Sequence, residues 1–519
     1  MKVNVALTGA SGNMGRATLK ELAESPVVGQ IRILLLPGVK EGRFAAAVTK
    51  QYGEKVVVLR GNLSDQTACR ALLEGVDYLL HLAAVIPPLS DHKPKLAMEC
   101  NLIGTRNLIA VLQDKPNVGF VHISSVAVYG HRNYRHPWGR VGDPLLPSVY
   151  DVYAQTKMFA ERDVMESGLP KWAVLRQTAM LHNRMLSDNM RDGLMFHTVL
   201  NVPLEWVTAE DSGYLMRRIV EKDVAGEAEG FWRQCYNIGG GAANRYTGYD
   251  TFDEGFRMIG GSAERFIRPK WCSIRNFHGL WFADSDRLNR LFDYQRQSVS
   301  DFWQQIAKSH PYFRLARILP PGIIRKLAVE RLLKDENAPD RWVRQGLEGK
   351  VKAFFGSREN LNCIEGGWER YPVLCKGQIA DGDIDYEELR KDDGLRERGL
   401  LLPHGFDDTK PLADITAEDL RSAAAWRGGQ CLIEGEGTVD LYSPVEWRCA
   451  EGHSFRMTPY AVLYGGHWCS VCYRQGVWDF DLLAKRNPYF AAVWYDSHAR
   501  NENVRYFIQA GRACYTYGG

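Results

Sequence analysis

The most informative stretch of the N-terminal part of this chain is Val3-Asn-Val-Ala-Leu-Thr-Gly-Ala-Ser-Gly-Asn-Met-Gly15. A short run of strand-forming residues ends in glycine-rich sequence, and a helical pattern continues from Met14 to Leu22. A turn of this kind brings bare backbone against a pyrophosphate, while the helix N-terminus supplies N–H donors and a positive dipole. The stretch therefore predicts a dinucleotide-binding turn. Its predicted cofactor contacts are Gly9, Ser11, Gly12, Asn13, Met14 and Gly15.

Strand-like and helical segments alternate beyond this turn. The later strand-like runs are Ile31–Leu36, Lys55–Leu59, Tyr78–Leu82 and Gly119–Ile123. The last two are apolar runs of the length expected for buried parallel strands. Alternation of this kind implies βαβ units and a parallel sheet. We therefore predict an α/β fold, with a Rossmann-like doubly wound parallel sheet and a small substrate lobe.

Composition limits the class of protein. The chain has 519 residues, 45% of them hydrophobic and 24% charged, with a formal net charge of +3. At about 150 residues per domain, this length predicts two to four domains, and the balanced charge excludes a strongly basic polyelectrolyte. No apolar run approaches the ~20 residues that cross a bilayer, and the N-terminus shows no signal-peptide pattern. We expect a cytoplasmic protein that does not bind a membrane.

Three regions differ in pattern along the chain. Residues 1–305 carry the strand–helix alternation, residues 306–362 look helical and rather basic, and residues 363–519 are rich in Trp, Gly and Cys. We predict an NAD(P)-binding and substrate domain, a helical connector and a zinc-binding α+β domain, in that order. The basic residues of the connector are interpreted as a solvated face, with a surface for nucleic acid or another acidic partner as the other interpretation.

The last region contains the spacing Cys449-x3-His453-x15-Cys469-x2-Cys472. Four ligands in two close pairs suit a tetrahedral, structural Zn²⁺ site, and the pattern resembles treble-clef or zinc-ribbon modules. Buried thiols beside a chance histidine are the alternative, and a redox Cys-x-x-Cys motif would lack its usual βαβ context. Basic residues near the cluster are few and alternate with acids, which argues against nucleic-acid binding.

Further segments fit one known family in order. They are Gly61-Asn-Leu-Ser-Asp65, His81-Leu-Ala-Ala84, Asn101-Leu-Ile-Gly-Thr105 and Tyr153-Ala-Gln-Thr-Lys157. Together with the Gly-x-x-Gly-x-x-Gly turn, they resemble the extended short-chain dehydrogenase/reductase superfamily, whose members include the NAD-dependent epimerases and dehydratases. The resemblance covers residues 1–305, and Asn62 departs from it by standing where Asp is usual.

The resemblance implies a catalytic triad of Ser125, Tyr153 and Lys157. Tyr153 and Lys157 lie at i and i+4 and so share one helix face, where an ammonium favours the ionised form of a nearby phenol. In the family the catalytic hydroxyl lies four residues before a Tyr-Gly pair, and this position is Ser125 here. That hydroxyl would polarise the substrate oxygen while Tyr153 transfers the proton. The further cofactor contacts that the resemblance implies are Asn62, Leu63, Ala83, Ala84, Ser124, Tyr153 and Lys157.

The end of the second strand bears on the choice between NAD and NADP. NAD-specific members usually carry an acidic residue there to hold the ribose hydroxyls. Here the strand ends Leu34-Leu-Leu-Pro-Gly38, without an acid, and Lys40 and Arg43 follow. These cations either meet a 2′-phosphate or are solvated loop charges. We favour NADP and keep NAD as the alternative.

Departures from the family pattern bear on the substrate. Val126 and Ala127 stand where sugar-nucleotide 4,6-dehydratases carry Asp-Glu, which argues against dehydration. The run Leu181–Met185 replaces the Gly-Pro-Gly of sugar-nucleotide enzymes. Several nearby residues either line an apolar pocket or belong to the core, namely Met180, Met185, Met190, Met195 and Phe196.

These patterns together predict an NAD(P)-dependent oxidoreductase. It would transfer a hydride between the nicotinamide and a carbonyl or alcohol of a small, rather apolar substrate. A sugar-nucleotide epimerase of the extended type and a non-catalytic, NADP-sensing regulatory protein are the alternatives. We expect the zinc-binding region to dock on the reductase domain, to close its substrate cleft or to build an oligomer, and a homodimer is among the arrangements left open.

Overall fold

The computed structural model describes most of the chain. The described residues are 2–148, 150–185, 196, 199–200, 202–258, 260–275, 278–311, 318–364, 368, 374–375, 378–379, 385–473, 477–478, 480–495, 497–500 and 506–507.

The strands are short. They are β1 (Val3–Thr8), β2 (Val28–Leu35), β3 (Val56–Arg60), β4 (Tyr78–His81), β5 (Gly119–Ser125), β6 (Trp138–Gly139), β7 (Trp172–Gln177), β8 (Ala179–Leu181), β9 (Pro203–Thr208), β10 (Gln234–Ile238), β11 (Arg245–Thr247), β12 (Trp281–Phe282), β13 (Leu374–Cys375), β14 (Gln378–Ile379), β15 (Gln430–Cys431), β16 (Val445–Arg448), β17 (Ser454–Met457), β18 (Val477–Trp478) and β19 (Tyr506–Phe507).

Helices occupy much of the remaining described chain. They are α1 (Asn13–Glu24), α2 (Val39–Tyr52), α3 (Gln66–Leu72), α4 (Leu89–His92), α5 (Pro94–Ala97), α6 (Gly104–Leu112), α7 (Val152–Met165), α8 (Ala209–Val224), α9 (Gly248–Arg257), α10 (Ala263–Phe266), α11 (Ser285–Phe292), α12 (Val299–Ser309), α13 (Pro321–Ile324), α14 (Pro339–Arg344), α15 (Glu348–Phe355), α16 (Arg358–Ile364), α17 (Tyr386–Leu389), α18 (Ala417–Trp426), α19 (Pro459–Leu463), α20 (Ser470–Tyr473), α21 (Phe480–Arg486) and α22 (Pro488–Tyr495).

Seven strands form the central sheet in the order β10-β7-β5-β4-β1-β2-β3, and every neighbouring pair is parallel. The chain runs outward from β1 through β2 to β3, returns to β4 on the other side of β1, and continues outward to β10. This doubly wound order has its switch point between β1 and β4. Doubly wound sheets bind their ligands in the crevice between the loops that diverge at this point. The predicted α/β fold with a doubly wound parallel sheet is confirmed.

Helices cover both faces of this sheet. On one face, α1, α2 and α8 contribute Leu19, Phe44 and Ile219 to a hydrophobic cluster. On the other face, α3 and α6 contribute Leu72 and Leu108 to a second cluster. Because helices cover both faces of the sheet, the sequences of its strands are the nearly continuous apolar runs noted above.

The C-terminal region shares the second of these clusters. Its small antiparallel sheet has the order β15-β16-β17. Trp447 of β16 and Tyr460 of α19 are buried in the same cluster as Trp172 of the central sheet. The rings of Trp172 and Tyr460 are 5.7 Å apart, and the Tyr460 hydroxyl accepts a 2.7 Å hydrogen bond from the backbone N–H of Cys235. The C-terminal region therefore packs directly on the sheet.

A small lobe lies beyond the sheet and is built on the order β11-β9-β8. Its buried residue Trp271 shares a cluster with Trp342 and Phe354, from the helices that follow the sheet domain in sequence, and with Tyr489 of α22. These later helices therefore pack on the small lobe. Among the residues that the structure describes, no helix is both long enough and apolar enough to cross a membrane.

Candidate active site and candidate metal site

The glycine turn joins β1 to α1 at the switch point. Gly9 has a φ of +71°, and a Cβ placed on it would lie 2.7 Å from the backbone nitrogen of Ala83. The Thr8 hydroxyl accepts hydrogen bonds of 3.1 Å from the N–H groups of Leu82 and Ala83. The turn is thereby fixed against the residues that follow β4. Glycine is required at position 9 because a side chain there would displace the backbone of Leu82 and Ala83.

The remaining glycines shape the start of α1. A Cβ on Gly15 would lie 2.0 Å from the carbonyl oxygen of Gly9, so only glycine lets the turn pass this close to the helix. Gly12 caps α1 with extended backbone and carries no side chain to occupy the first N–H groups of the helix. The donor groups and the absence of Cβ atoms fit the pyrophosphate of a dinucleotide. Ser11, Asn13 and Met14 lie on the same turn and first helical residues.

Two serines, Ser124 and Ser125, end β5. The Ser125 hydroxyl accepts a 3.2 Å hydrogen bond from the N–H of Ala127 and lies next to the Tyr153 side chain. The Ser124 hydroxyl donates a 2.5 Å hydrogen bond to Glu161. Ser125 thus lies beside Tyr153, and the Ser124 side chain contacts the helix that carries Tyr153.

That helix is α7. Asp151 caps it by accepting a 2.9 Å hydrogen bond from the N–H of Ala154. Tyr153, Lys157 and Glu161 follow at intervals of four, so the three side chains share one helix face. Lys157 is 2% exposed and Glu161 is fully buried. The face that carries the predicted Tyr–Lys pair therefore continues inward to a buried carboxylate.

Burial dominates the ionisation of the pair. Burial raises the pKa of Tyr153 to about 12, although the adjacent Ser125 hydroxyl acts in the opposite direction. Burial lowers the pKa of Lys157 to about 8, although the Cys100 and Glu161 side chains act in the opposite direction. The phenol thus stays protonated at neutral pH, which differs from the direction expected from a nearby ammonium alone, because loss of solvation outweighs the charge.

The family segment that contains Asn101 links the loop after β4 to the helix of the candidate site. Asn101 is fully buried, and its side chain bonds the backbone of Val85 at 2.7 Å and 3.0 Å and the Thr156 hydroxyl at 2.9 Å. It therefore ties the loop after β4 to α7. That loop carries Ala83 and Ala84, both partly exposed at the switch point.

After the end of β3, Asn62 is exposed and Leu63 is 6% exposed. A Cβ on Gly104 would lie 2.8 Å from the Cβ of Leu63, so α6 packs closely against this segment. Both residues lie on the loop after β3, which ends at the same edge of the sheet as the glycine turn.

The end of β2 has the character predicted from the sequence. Leu36, Lys40 and Arg43 are exposed, and α2 begins immediately at Val39. The two cations thus lie where the adenosine ribose would be held in a doubly wound fold.

Two residues near the turn were missed by sequence reasoning. The His182 ring is 3.2 Å from the Asn13 amide, so the loop after β8 reaches the glycine turn. Arg16 donates a 2.9 Å hydrogen bond from Nε to the carbonyl of Ser11, and its guanidinium lies 4.3 Å from the centre of the Phe44 ring. Arg16 follows the glycine triplet directly and could have been found, whereas His182 is 169 residues away and had no sequence signal.

The methionine-rich segment is described only in part. Phe196 is fully buried in the cluster of the small lobe, and Met180 and Met185 pack at the borders of two other clusters. Met190 and Met195 lie outside the described residues. Phe196 thus belongs to the hydrophobic core, whereas Met180 and Met185 are partly exposed in the segment that follows β7.

The four predicted zinc ligands come together in space. The ligand atoms of Cys449, His453, Cys469 and Cys472 all lie within 4.8 Å of one another. The Sγ atoms of Cys449 and Cys472 are 3.7 Å apart, and His453 Nδ1 lies 3.4 Å from each of them. With Zn–S bonds of about 2.3 Å, tetrahedral geometry separates two sulfur ligands by roughly 3.8 Å, whereas a disulfide needs about 2.05 Å. The donor set fits a tetrahedral zinc ion and not a disulfide.

Local structure explains how the pairs form. Cys449 and His453 flank the tight turn between β16 and β17, where Gly452 has a φ of +81° and the Cys449 N–H donates to the His453 carbonyl at 3.0 Å. The second pair begins α20. Trp468, which precedes the second pair, packs against the strands of the first pair: its ring lies 5.8 Å from that of fully buried Trp447 and 5.2 Å from that of Phe455. Packing therefore brings two sequence-distant pairs together.

The fold and the glycine turn define a dinucleotide-binding protein of the Rossmann type. Residues 5–168 match the model of the NAD dependent epimerase/dehydratase family. This match covers the glycine turn, Ser125, Tyr153 and Lys157, and it confirms the resemblance for that part of the chain.

Curated relatives include the 3 beta-hydroxysteroid dehydrogenase/Delta 5-->4-isomerase of Vaccinia virus strains Ankara and Copenhagen. Each is 25% identical to this chain over 170 residues, which are 31% of this chain and 45% of the relative. The chain thus spans less than half the length of these relatives.

Solved structures that resemble this one include two bacterial enzymes. The dTDP-glucose 4,6-dehydratase from Bacillus anthracis is 16% identical, with a TM-score of 0.44, over 60% of this chain and 99% of that chain. The UDP-glucuronic acid 4-epimerase from Bacillus cereus is 17% identical, with a TM-score of 0.46, over the same shares of 60% and 99%.

Proposed function

We propose that this protein is an NAD(P)-dependent oxidoreductase acting on a carbonyl or alcohol of a small, rather apolar substrate. One observation carries the proposal: the Ser125 and Tyr153 side chains lie next to each other at the sheet edge where the glycine turn lies, and Lys157 is buried on the helix face of Tyr153. A cofactor site and a proton donor thus share one crevice.

The proposed chemistry assigns each residue a task. When bound, the nicotinamide supplies the hydride for reduction of a carbonyl or accepts it from an alcohol. Ser125 would hold the substrate oxygen by hydrogen bonding. Tyr153, which burial keeps protonated, would donate its proton to that oxygen during reduction, and Lys157 would stabilise the negative charge left on the phenol.

Two observations bear on the substrate: the first argues against a dehydratase, and the second favours an apolar alcohol. The residues after Ser125 are the buried apolar Val126 and Ala127, which supply no acid or base for elimination. The curated relatives act, by name, on a 3β-hydroxysteroid, an apolar secondary alcohol. We therefore propose that the substrate belongs to this chemical class.

Turnover with a 3β-hydroxysteroid in the presence of NAD⁺ or NADP⁺ tests the proposal. The near-ultraviolet absorbance of the reduced nicotinamide should rise with wild type, and Tyr153→Phe should lower kcat by about a hundredfold or more while the cofactor still binds. Tyr150→Phe is the matched control, because Tyr150 packs against Phe354 in the small lobe and should keep wild-type turnover.

Parallel reactions with UDP-glucose, UDP-glucuronic acid and dTDP-glucose separate the alternatives. Epimerisation of a sugar nucleotide without activity on the steroid would replace the proposal by the epimerase function. Cofactor binding without turnover of any of these compounds would favour a cofactor-sensing protein.

We also propose that NADP is the preferred cofactor. No acid stands in the segment Leu34–Gly38 that ends β2, and Lys40 and Arg43 are exposed on the first turns of α2, with Glu41 between them. Binding constants for NADPH and NADH, measured by fluorescence, test this preference. Lys40→Ala with Arg43→Ala should weaken NADPH at least about tenfold and leave NADH unchanged. Equal loss for both cofactors would contradict it.

For the metal site, we propose a structural Zn²⁺ held by Cys449, His453, Cys469 and Cys472. Purified protein should contain about one zinc per chain, because all four ligand positions are filled by protein. Cys469→Ser should lose the metal and lower the melting temperature, whereas Cys431→Ser, a buried thiol outside the cluster, should keep it. A folded wild type without zinc would contradict the proposal.

A further inference from the structure

A buried network connects the candidate active site to the C-terminal region. Glu161, one turn beyond Lys157 on α7, accepts hydrogen bonds from Arg176 Nε at 3.1 Å and Nη2 at 2.7 Å. His467 Nε2 of the C-terminal region lies 2.9 Å from Glu161 Oε1, the oxygen that also accepts from Arg176 Nη2. Glu161 and Arg176 are fully buried, and His467 is 2% exposed.

The segment around His467 is held in place on several sides. Arg176 Nη2 donates a 2.5 Å hydrogen bond to the carbonyl of Gly465. Arg427, from the C-terminal region itself, donates to the carbonyls of Gly466 and His467 at 3.2 Å and 3.1 Å. A Cβ on Gly466 would lie 2.0 Å from the carbonyl oxygen of Asp143, so this loop passes in direct contact with the sheet domain. The position of His467 is therefore set by both regions.

A second contact lies at the C-terminal end of α7. The N–H of Thr458 donates to Glu166, the residue that ends this helix, at 3.1 Å, and the Thr458 hydroxyl donates to the same carboxylate. Thr458 also caps α19, which packs Tyr460 against the sheet. The C-terminal region thus contacts α7 at two carboxylates, one near its middle and one at its end.

We propose that the C-terminal region positions the catalytic helix: His467 on Glu161 and Thr458 on Glu166 hold α7 so that Tyr153 and Lys157 face the cofactor crevice. His467 and Thr458 are positioning residues and do not touch the substrate. The inference has two parts. The mechanical half states that the C-terminal region holds α7 in place, and the catalytic half states that this supports turnover, which rests on the proposed oxidoreductase function.

The mechanical half has its own measurement. Hydrogen–deuterium exchange of full-length protein should be at least about tenfold faster over residues 152–165 in His467→Ala, because the helix loses a buried contact. His498→Ala is the matched control, since His498 is 5% exposed in the C-terminal region and its ring stacks on Trp494. It should leave exchange in α7 unchanged.

Thr458→Val provides a second variant, because it removes one hydroxyl with little change of volume and should accelerate exchange at the end of α7. If His467→Ala does not fold, Thr458→Val decides the question alone. Unchanged exchange in α7 in the folded variants would overturn the proposal.

The catalytic half is tested by steady-state kinetics with the 3β-hydroxysteroid. His467→Ala should lower kcat by about tenfold to a hundredfold, because small displacements of reacting groups are costly, and leave the NADPH dissociation constant within about twofold. His498→Ala should retain wild-type kcat. Faster exchange in α7 with unchanged kcat would overturn the positioning of the catalytic pair. A wild type without turnover would refute the proposed function and leave the exchange measurement to decide whether α7 is held.

Discussion

Replacement of Lys157 by methionine tests the electrostatics of the candidate site. Lys157 is 2% exposed, and burial lowers its pKa from 10.5 to about 8, with Cys100 and Glu161 acting in the opposite direction. One pKa unit corresponds to about 1.4 kcal/mol, so the charged ammonium costs the folded protein roughly 3 kcal/mol at neutral pH. Methionine has similar length and no charge. We therefore expect Lys157→Met to raise the free energy of unfolding by up to that amount at about pH 7.

The pH dependence has a defined sign. Between pH 8 and 10.5 the unfolded chain binds more protons at this position than the folded chain, so wild-type stability rises with pH through that window. Below pH 8 both states carry the proton and the full cost is present. The advantage of the variant should therefore shrink between about pH 8 and about pH 10.5. Burial keeps His81 and His122 neutral there, and Glu161, whose pKa its partners hold near 2, stays charged.

Urea unfolding followed by circular dichroism, on wild type and variant in parallel at about pH 7, 8.5 and 10, measures this difference. Contributions from other groups cancel because both proteins carry them. Lys20→Met, at an exposed lysine on α1, should change stability little at any of these pH values. A Lys157→Met variant that is less stable than wild type at pH 7, or a difference that does not vary with pH, would refute the reasoning.

Two further predictions concern the cofactor crevice. Gly15→Ala places a Cβ 2.0 Å from a backbone carbonyl oxygen, so we expect NADPH affinity to fall at least about tenfold and the free energy of unfolding by about 1–3 kcal/mol. Fluorescence titration and thermal melting measure these two effects. Gly42→Ala, whose Cβ would meet nothing within 4 Å, is the control and should not weaken binding. In the reduction direction kcat/KM should fall as pH rises past about 8, because protonated Lys157 is needed. A profile that stays flat to about pH 10 would contradict a role for a protonated Lys157 with this lowered pKa.

Local sequence patterns predicted the sheet domain well. The run from Val3 to Gly15 predicted the first strand, the turn and the start of α1, because a parallel strand and an amphipathic helix each have a recognisable period. The i and i+4 spacing placed Tyr153 and Lys157 on one face, since helix geometry alone sets that relation. The zinc spacing likewise predicted which four side chains meet. The proposed division at residues 305 and 362 remains a prediction.

The sequence by itself determined the backbone turn, the helix face and the ligand pairs, because each depends on residues close in the chain. Only the tertiary structure decided what surrounds Lys157. Glu161 and His467 are 306 residues apart, yet their side chains approach within 2.9 Å. Burial, which depends on the whole packed fold, set the pKa directions of Tyr153 and Lys157. No local pattern carries that information, because desolvation is a property of the assembled core.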